Sequence, residues 1–191
     1  VFYHRDVKVI AISDVSGGLF CKDGLDIDAI SVFLETEGAL LKDYSAPGVS
    51  HISNEDVLTC DCDVLVPAAL ENQITADNAE KLNCRYIVEA ANGPTTEEAD
   101  AILEHRGITL IPDIFANSGG VIVSYFEWVQ NIQELTWDRD QVNEMLEKLM
   151  SKSFQSLLDA ADECHCSYRM AAYIVALRKL VTAEKMKGIF P

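Results

Sequence analysis

The sequence predicts an α/β fold, a doubly wound and mostly parallel sheet followed by C-terminal helices. Three observations carry this. Short apolar runs rich in β-branched residues alternate with stretches of helical spacing, joined by short loops. That is the pattern of right-handed βαβ units. The run at residues 107–111 ends in a polar, glycine-bearing turn, Asn117-Ser118-Gly119-Gly120, before an apolar helical pattern opens. A strand that passes through such a turn into a helix is where α/β sheets hold small molecules, because helix N-termini offer free N–H groups. From about Asp138 onward only helical spacing remains.

The elements follow in order. Residues 7–13, VKVIAIS, read as a buried parallel strand ending in Asp14, and Ser16-Gly17-Gly18 as the turn after it. Ile27, Ile30 and Leu34 are spaced for a helix over 26–34. Ala46-Pro47-Gly48 punctuates a loop, and Ser53 with Asp56 makes a capping box for a short helix. Residues 63–69 read as a strand running into Pro67-Ala68-Ala69, and residues 75–82 as a helix. Residues 85–91 are the next strand, ending in Asn92-Gly93-Pro94. Thr95 with Glu98 then caps a helix that stops at Gly107. The strand into Pro112 leads to a helix from about Ser118. Apolar spacing predicts two more helices, over about 138–163 and 168–187, the latter closed by Gly188 and Pro191.

Composition narrows the function classes. With 49% apolar and 24% charged residues the chain is globular rather than disordered. Its formal net charge of −16, without a Lys/Arg cluster, argues against nucleic-acid binding. No apolar run approaches the ~20 residues of a membrane span. Neither an initiator Met nor a signal-peptide pattern opens the sequence. The six cysteines, two pairs of them in Cys-x-Cys spacing, read as reduced thiols of a cytoplasmic protein rather than a zinc site. His165 lies inside the second pair, but none of the four histidines joins a catalytic constellation.

A sheet that binds a dinucleotide opens with a strand and a Gly-x-Gly-x-x-Gly turn, which admits the pyrophosphate to a helix N-terminus. That motif is absent. Asp14 nevertheless sits where such a sheet places an acid, at the end of the second strand, to bind the adenosine ribose. The chain therefore reads either as a Rossmann-like sheet that begins after its first strand, or as another α/β fold without that turn. In the first case two strands would be left with unpaired edges, and no intact six-stranded sheet is expected.

Several segments resemble the Glu/Leu/Phe/Val dehydrogenase family, and glutamate dehydrogenases in particular. They are residues 113–121, DIFANSGGV, with 124–131, SYFEWVQN; 13–18, SDVSGG; 67–74, PAALENQI; 89–96, EAANGPTT; and 169–173, RMAAY, with 188–191, GIFP. The resemblance covers essentially the whole chain. It implies residues 1–137 as a partial NAD(P)-binding Rossmann-like domain. Residues 138–191 would be C-terminal helices packing on it and toward an absent substrate domain. That absent domain would carry the catalytic Lys and Asp, so the resemblance places no catalytic residue and no metal ligand here. The implied reaction is reversible oxidative deamination of L-glutamate to 2-oxoglutarate and ammonia, in a hexamer of identical chains.

Carried over by position, the resemblance puts Asp14 at the adenosine ribose and Pro67, Ala68 and Ala69 against the middle of the cofactor. Asn92 falls near the nicotinamide ribose and Asn117 near its carboxamide. Val121 and Ser124, one helical turn apart, face the substrate: Ser124 to donate to the γ-carboxylate, Val121 to pack on the methylenes. An acid at position 14 favours NAD, with NADP possible. Rival readings exist for four of them: an acceptor of turn N–H groups at Asp14, a turn-former at Asn92, a helix cap at Asn117, a hydroxyl bonded to a carbonyl at Ser124. Gly119 and Gly120 serve either close cofactor approach or tight helix packing. Glu127 and Trp128 read as structural. The alternatives for the whole are a non-catalytic nucleotide-binding remnant or a dehydrogenase of another amino acid.

Overall fold

The computed structural model describes residues 7–187. His4 and the other residues before 7, and the closing Gly188 and Pro191, lie outside the described residues. The chain divides into two units, residues 1–63 with 80–84, and residues 64–79 with 85–191.

In the first unit, β1 (Ala11–Asp14), β2 (Gly17–Phe20) and β3 (Ser50–Ile52) form an antiparallel sheet in that order. This corrects the parallel reading of the first strand. Asp14 pairs with Gly17 across a two-residue Val15–Ser16 turn, and the Asp14 carboxylate accepts the Ser16 N–H at 2.7 Å. A side chain that closes its own turn this tightly returns the chain as a hairpin. The two glycines therefore begin β2 instead of making the turn. A short apolar run conceals this, since it suits a strand of either sense. The buried reading is corrected as well, because no residue of β1 is fully buried.

Around the sheet lie α1 (Ile27–Leu34), capped by Asp26, a 3-10 turn (Leu41–Asp43), and α2 (Asn54–Thr59) with the expected Ser53–Asp56 capping box. Leu19, Leu25, Ile30, Leu41 and Tyr44 make the core. Gly18 is packed against Val57: a Cβ there would stand 2.3 Å from Val57 Cγ2 and 3.3 Å from the Ile12 carbonyl oxygen. Gly18→Ala is expected to destabilise this unit by about 1–3 kcal/mol through overpacking. An unchanged urea midpoint would show that Val57 swings aside freely.

In the second unit, β4 (Val64–Leu65), β5 (Tyr86–Val88) and β6 (Thr109–Ile111) form a parallel sheet in that order. The α/β class is thus present, with six strands among the described residues split into two three-stranded sheets. Helix α3 (Ala76–Ala79) follows β4, and α4 (Glu97–His105) follows β5. The expected helix over 75–82 shrinks to one turn. Asn78 accepts the Thr75 N–H and donates to the Gln73 carbonyl, bonds that compete with helix propagation.

The cap of α4 is Thr96, not Thr95, because Thr95 is taken up in a parallel bridge with Ile74. After β6 come α5 (Asp113–Ala116), α6 (Ser118–Gln133), α7 (Arg139–Cys164) and α8 (Tyr168–Lys187). Asp138 and Gln141 form a capping box that starts α7. Helices α7 and α8 meet through small side chains, Ala160 and Ala161 with Ala171 and Ala172, around Leu157.

Candidate functional site

Parallel strands end on one side of their sheet, so the segments after β4, β5 and β6 emerge together. Five of the eight residues singled out by sequence lie on those segments: Pro67, Ala68, Ala69, Asn92 and Asn117. Pro67 is buried, and its carbonyl accepts both the Ala90 N–H at 3.0 Å and the Ala91 N–H at 2.9 Å. This fixes the backbone just before Asn92. Ala68 and Ala69 are exposed.

Asn117 Nδ2 donates to Asn92 Oδ1 at 2.6 Å. Asn117 occupies the N-cap position of α6 but makes no side-chain capping bond. Its amide is turned to Asn92 instead, which sets aside the reading of it as a cap alone. The mutual bond engages one donor of Asn117 and one acceptor of Asn92. Among the described residues, Asn117 Oδ1 and the side-chain N–H groups of Asn92 have no other partner, leaving one acceptor and donors.

The glycines beside this pair have room in front of them. A Cβ on Gly120 would meet no atom within 4 Å, and one on Gly119 would make an ordinary contact with Leu146 at 3.9 Å. Helix packing therefore does not require either glycine. Val121 and Ser124 follow on α6, both exposed. Among the described residues no partner takes the Ser124 hydroxyl, unlike Ser156, which donates to the Lys152 carbonyl. Trp128 is 58% exposed and stacks on Tyr125. Val121, Tyr125, Trp128 and Ile132 form one uncovered apolar stripe.

Asp14 belongs to the first unit. Its Oδ1 accepts the Ser16 N–H and hydroxyl, and its Oδ2 accepts the Leu41 N–H at 2.9 Å. Partial burial opposes the charge, but these bonds outweigh it and hold the carboxyl below its ordinary range. Of the roughly four acceptor positions of a carboxylate, three are engaged, leaving one on Oδ2 for an outside hydroxyl.

Three residues that shape the site were not singled out by sequence. Glu89 is fully buried, and both its oxygens accept from Arg169, at 3.0 and 2.8 Å. Glu89 also accepts the Asp113 N–H at 2.8 Å, and Asp113 in turn accepts the Gly93 N–H at 2.8 Å. The one signal was an acid inside an otherwise apolar strand end. The cysteines are all free thiols. Burial, then the neighbouring Cys60 and Cys84, pushes the Cys62 thiol up to about 12. Among the described residues there is no cluster of three or more His, Cys, Asp or Glu fit for a metal, and no helix long and apolar enough to cross a membrane.

The family model described as Glutamate/Leucine/Phenylalanine/Valine dehydrogenase matches residues 1–188. The chain belongs to this family. Members similar to it include the cryptic catabolic NAD-specific glutamate dehydrogenase GudB of Bacillus subtilis, 46% identical over 181 residues, which are 95% of this chain and 42% of that one. The NADP-specific glutamate dehydrogenase A1 of Halobacterium salinarum is 46% identical over 188 residues, 98% of this chain and 45% of its own length. A solved member, the hetero-hexameric glutamate dehydrogenase of Thermus thermophilus in its Leu-bound form, superposes with a TM-score of 0.88 at 29% identity. That match covers 99% of this chain and 44% of the other. The chain thus spans less than half the length of these family members.

Proposed function

We propose that the chain is the nicotinamide-cofactor-binding part of an NAD(P)-dependent glutamate dehydrogenase, which interconverts L-glutamate with 2-oxoglutarate and ammonia. The observation that carries this reading is the Asn92–Asn117 pair at the C-terminal side of the parallel sheet. A nicotinamide carboxamide presents one carbonyl and one NH2. The donors left on Asn92 and the acceptor left on Asn117 complement them. The open space before Gly120 lets a flat ring approach the start of α6.

When bound, the cofactor supplies hydride transfer. The residues of this chain bind and orient it. Pro67, Ala68 and Ala69 line its middle; in the first unit, Asp14 keeps one Oδ2 position for a hydroxyl such as that of a ribose. Val121 and Ser124 present a wall and a hydroxyl to the aliphatic stem and γ-carboxylate of the substrate. The charge held on Asp14 favours NAD over NADP. Residues 1–137 form the partial cofactor domain and 138–191 its C-terminal helices. Met170, Tyr173, Leu177 and Leu180, exposed on α8, face the remainder of a longer polypeptide within a hexamer.

Calorimetry with NADH, on the wild type and on Gly120→Ala, tests this. Alanine in a helix is favoured over glycine by about 0.5–1 kcal/mol, so the variant is expected to melt no lower than the wild type. Its NADH affinity is expected to fall by about tenfold or more, equivalent to about 1.4 kcal/mol. Equal affinity in the two proteins would remove the ring from this position, and no heat from the wild type at millimolar NADH would sink the reading.

A further inference from the structure

We propose that Asp113 is a positioning residue that joins the two amides of the site, held in turn by Glu89 and Arg169. The functional consequence rests on the reading of the site as a nicotinamide subsite; the positioning itself does not.

Asp113 reaches both asparagines. Its carboxylate Oδ2 accepts the N–H of Gly93, the residue after Asn92, at 2.8 Å. Its backbone carbonyl accepts the N–H of Asn117 at 3.0 Å. One residue therefore fixes the spacing of two side chains 25 positions apart that meet at 2.6 Å. Gly93 is pinned from its other end as well, its carbonyl accepting the Asn72 N–H at 2.9 Å. Gly93 stands at φ +53°, the left-handed region in which a glycine is free to move, so its conformation depends on such tethers.

Asp113 is itself oriented from beneath. Its N–H donates to Glu89 Oε2, and Arg169 Nη1 stands 3.6 Å from its Oδ1. Arg169 also donates from Nε to Asp100 Oδ2 at 2.7 Å, which ties the assembly to α4. Burial works against the Arg169 charge, but its bonds to Glu89 and Asp100 outweigh that and raise its pKa above the ordinary value. The guanidinium is a permanent cation.

The test uses the 191-residue chain and two readouts. The first is hydrogen exchange of the Asn117 side-chain amide by NMR. Losing a hydrogen bond to a charged group is expected to speed it about tenfold in Asp113→Ala, with the Ile87 and Leu103 backbone amides unchanged. Asp113→Asn, which keeps an acceptor for Gly93, is expected to restore most of the protection. Asp113 Oδ1 also accepts the Ile114 N–H at 2.7 Å. Asp113→Ser, too short to reach Gly93 but able to keep an acceptor for Ile114, is expected to behave as the alanine does. It replaces the alanine variant if that one does not fold. Unchanged Asn117 exchange in the alanine and serine variants overturns the proposal.

The second readout compares NADH with ADP-ribose, which lacks the nicotinamide. Asp113→Ala is expected to weaken NADH about tenfold and leave ADP-ribose unchanged. Equal weakening of both overturns the positioning role in binding. A wild type that binds neither, with faster Asn117 exchange in the alanine variant, defeats the proposed function while the positioning stands.

Discussion

Arg169→Met is expected to destabilise the second unit by about 3–5 kcal/mol, the usual cost of stranding one member of a buried ion pair. Native domains hold only about 5–15 kcal/mol in total, so the variant would sit near the unfolding threshold. Two partners are left behind: Asp100, which is partly exposed, and Glu89, which has no exposed surface. It would lose two of its three hydrogen bonds and keep the one from the Asp113 N–H. Methionine fills much of the space of the arginine stem but brings no charge. Arg178→Met is the control: Arg178 pairs with Glu163 on the surface, both more than half exposed. Such exposed, solvent-screened pairs contribute little. Urea midpoints that shift equally in the two variants would show that the buried network contributes no more than the surface one. Glu89→Gln combined with Arg169→Met is expected to recover part of the loss, since a buried amide costs less than a buried carboxylate.

The contrast between what was legible in the sequence and what was not follows from how far apart the partners lie. The start of α6 was legible because its signal is local: an amide, a hydroxyl and two glycines between a strand and an apolar helix. The positions of Asn92 and Asn117 at the sheet's C-terminal side followed from strand–helix alternation. Their bond across 25 residues did not, because periodicity says nothing about which loops touch. Arg169 and Glu89 are 80 residues apart, and a single acid in an apolar run does not name its cation. The antiparallel hairpin at Asp14 was hidden for a different reason. Apolarity is silent on direction, which depends on whether two residues suffice to turn the chain.

The turn at Asp14 carries the remaining large effect. Asp14→Asn is expected to cost about 1–3 kcal/mol, because the new NH2 group opposes one of the N–H or hydroxyl donors now bonded to the carboxylate. The pH dependence has a definite sign. The carboxyl is held below its ordinary value, so its contribution is complete above the unfolded pKa of about 4 and is lost as pH falls through the lower folded value. The wild type is therefore expected to lose stability below about pH 4 over a range that the variant lacks, read from urea midpoints taken at successive pH values.

The same substitution separates fold from cofactor choice. Removing one charge relieves the repulsion of a 2′-phosphate by roughly 1–4 kcal/mol at close range, so the ratio of NADPH to NADH affinity is expected to rise at least about tenfold. A ratio unchanged in a folded variant would place the 2′-position away from Asp14. The hairpin would then be the reason for an acid here: three bonds that close a two-residue turn and fasten it to the Leu41 backbone.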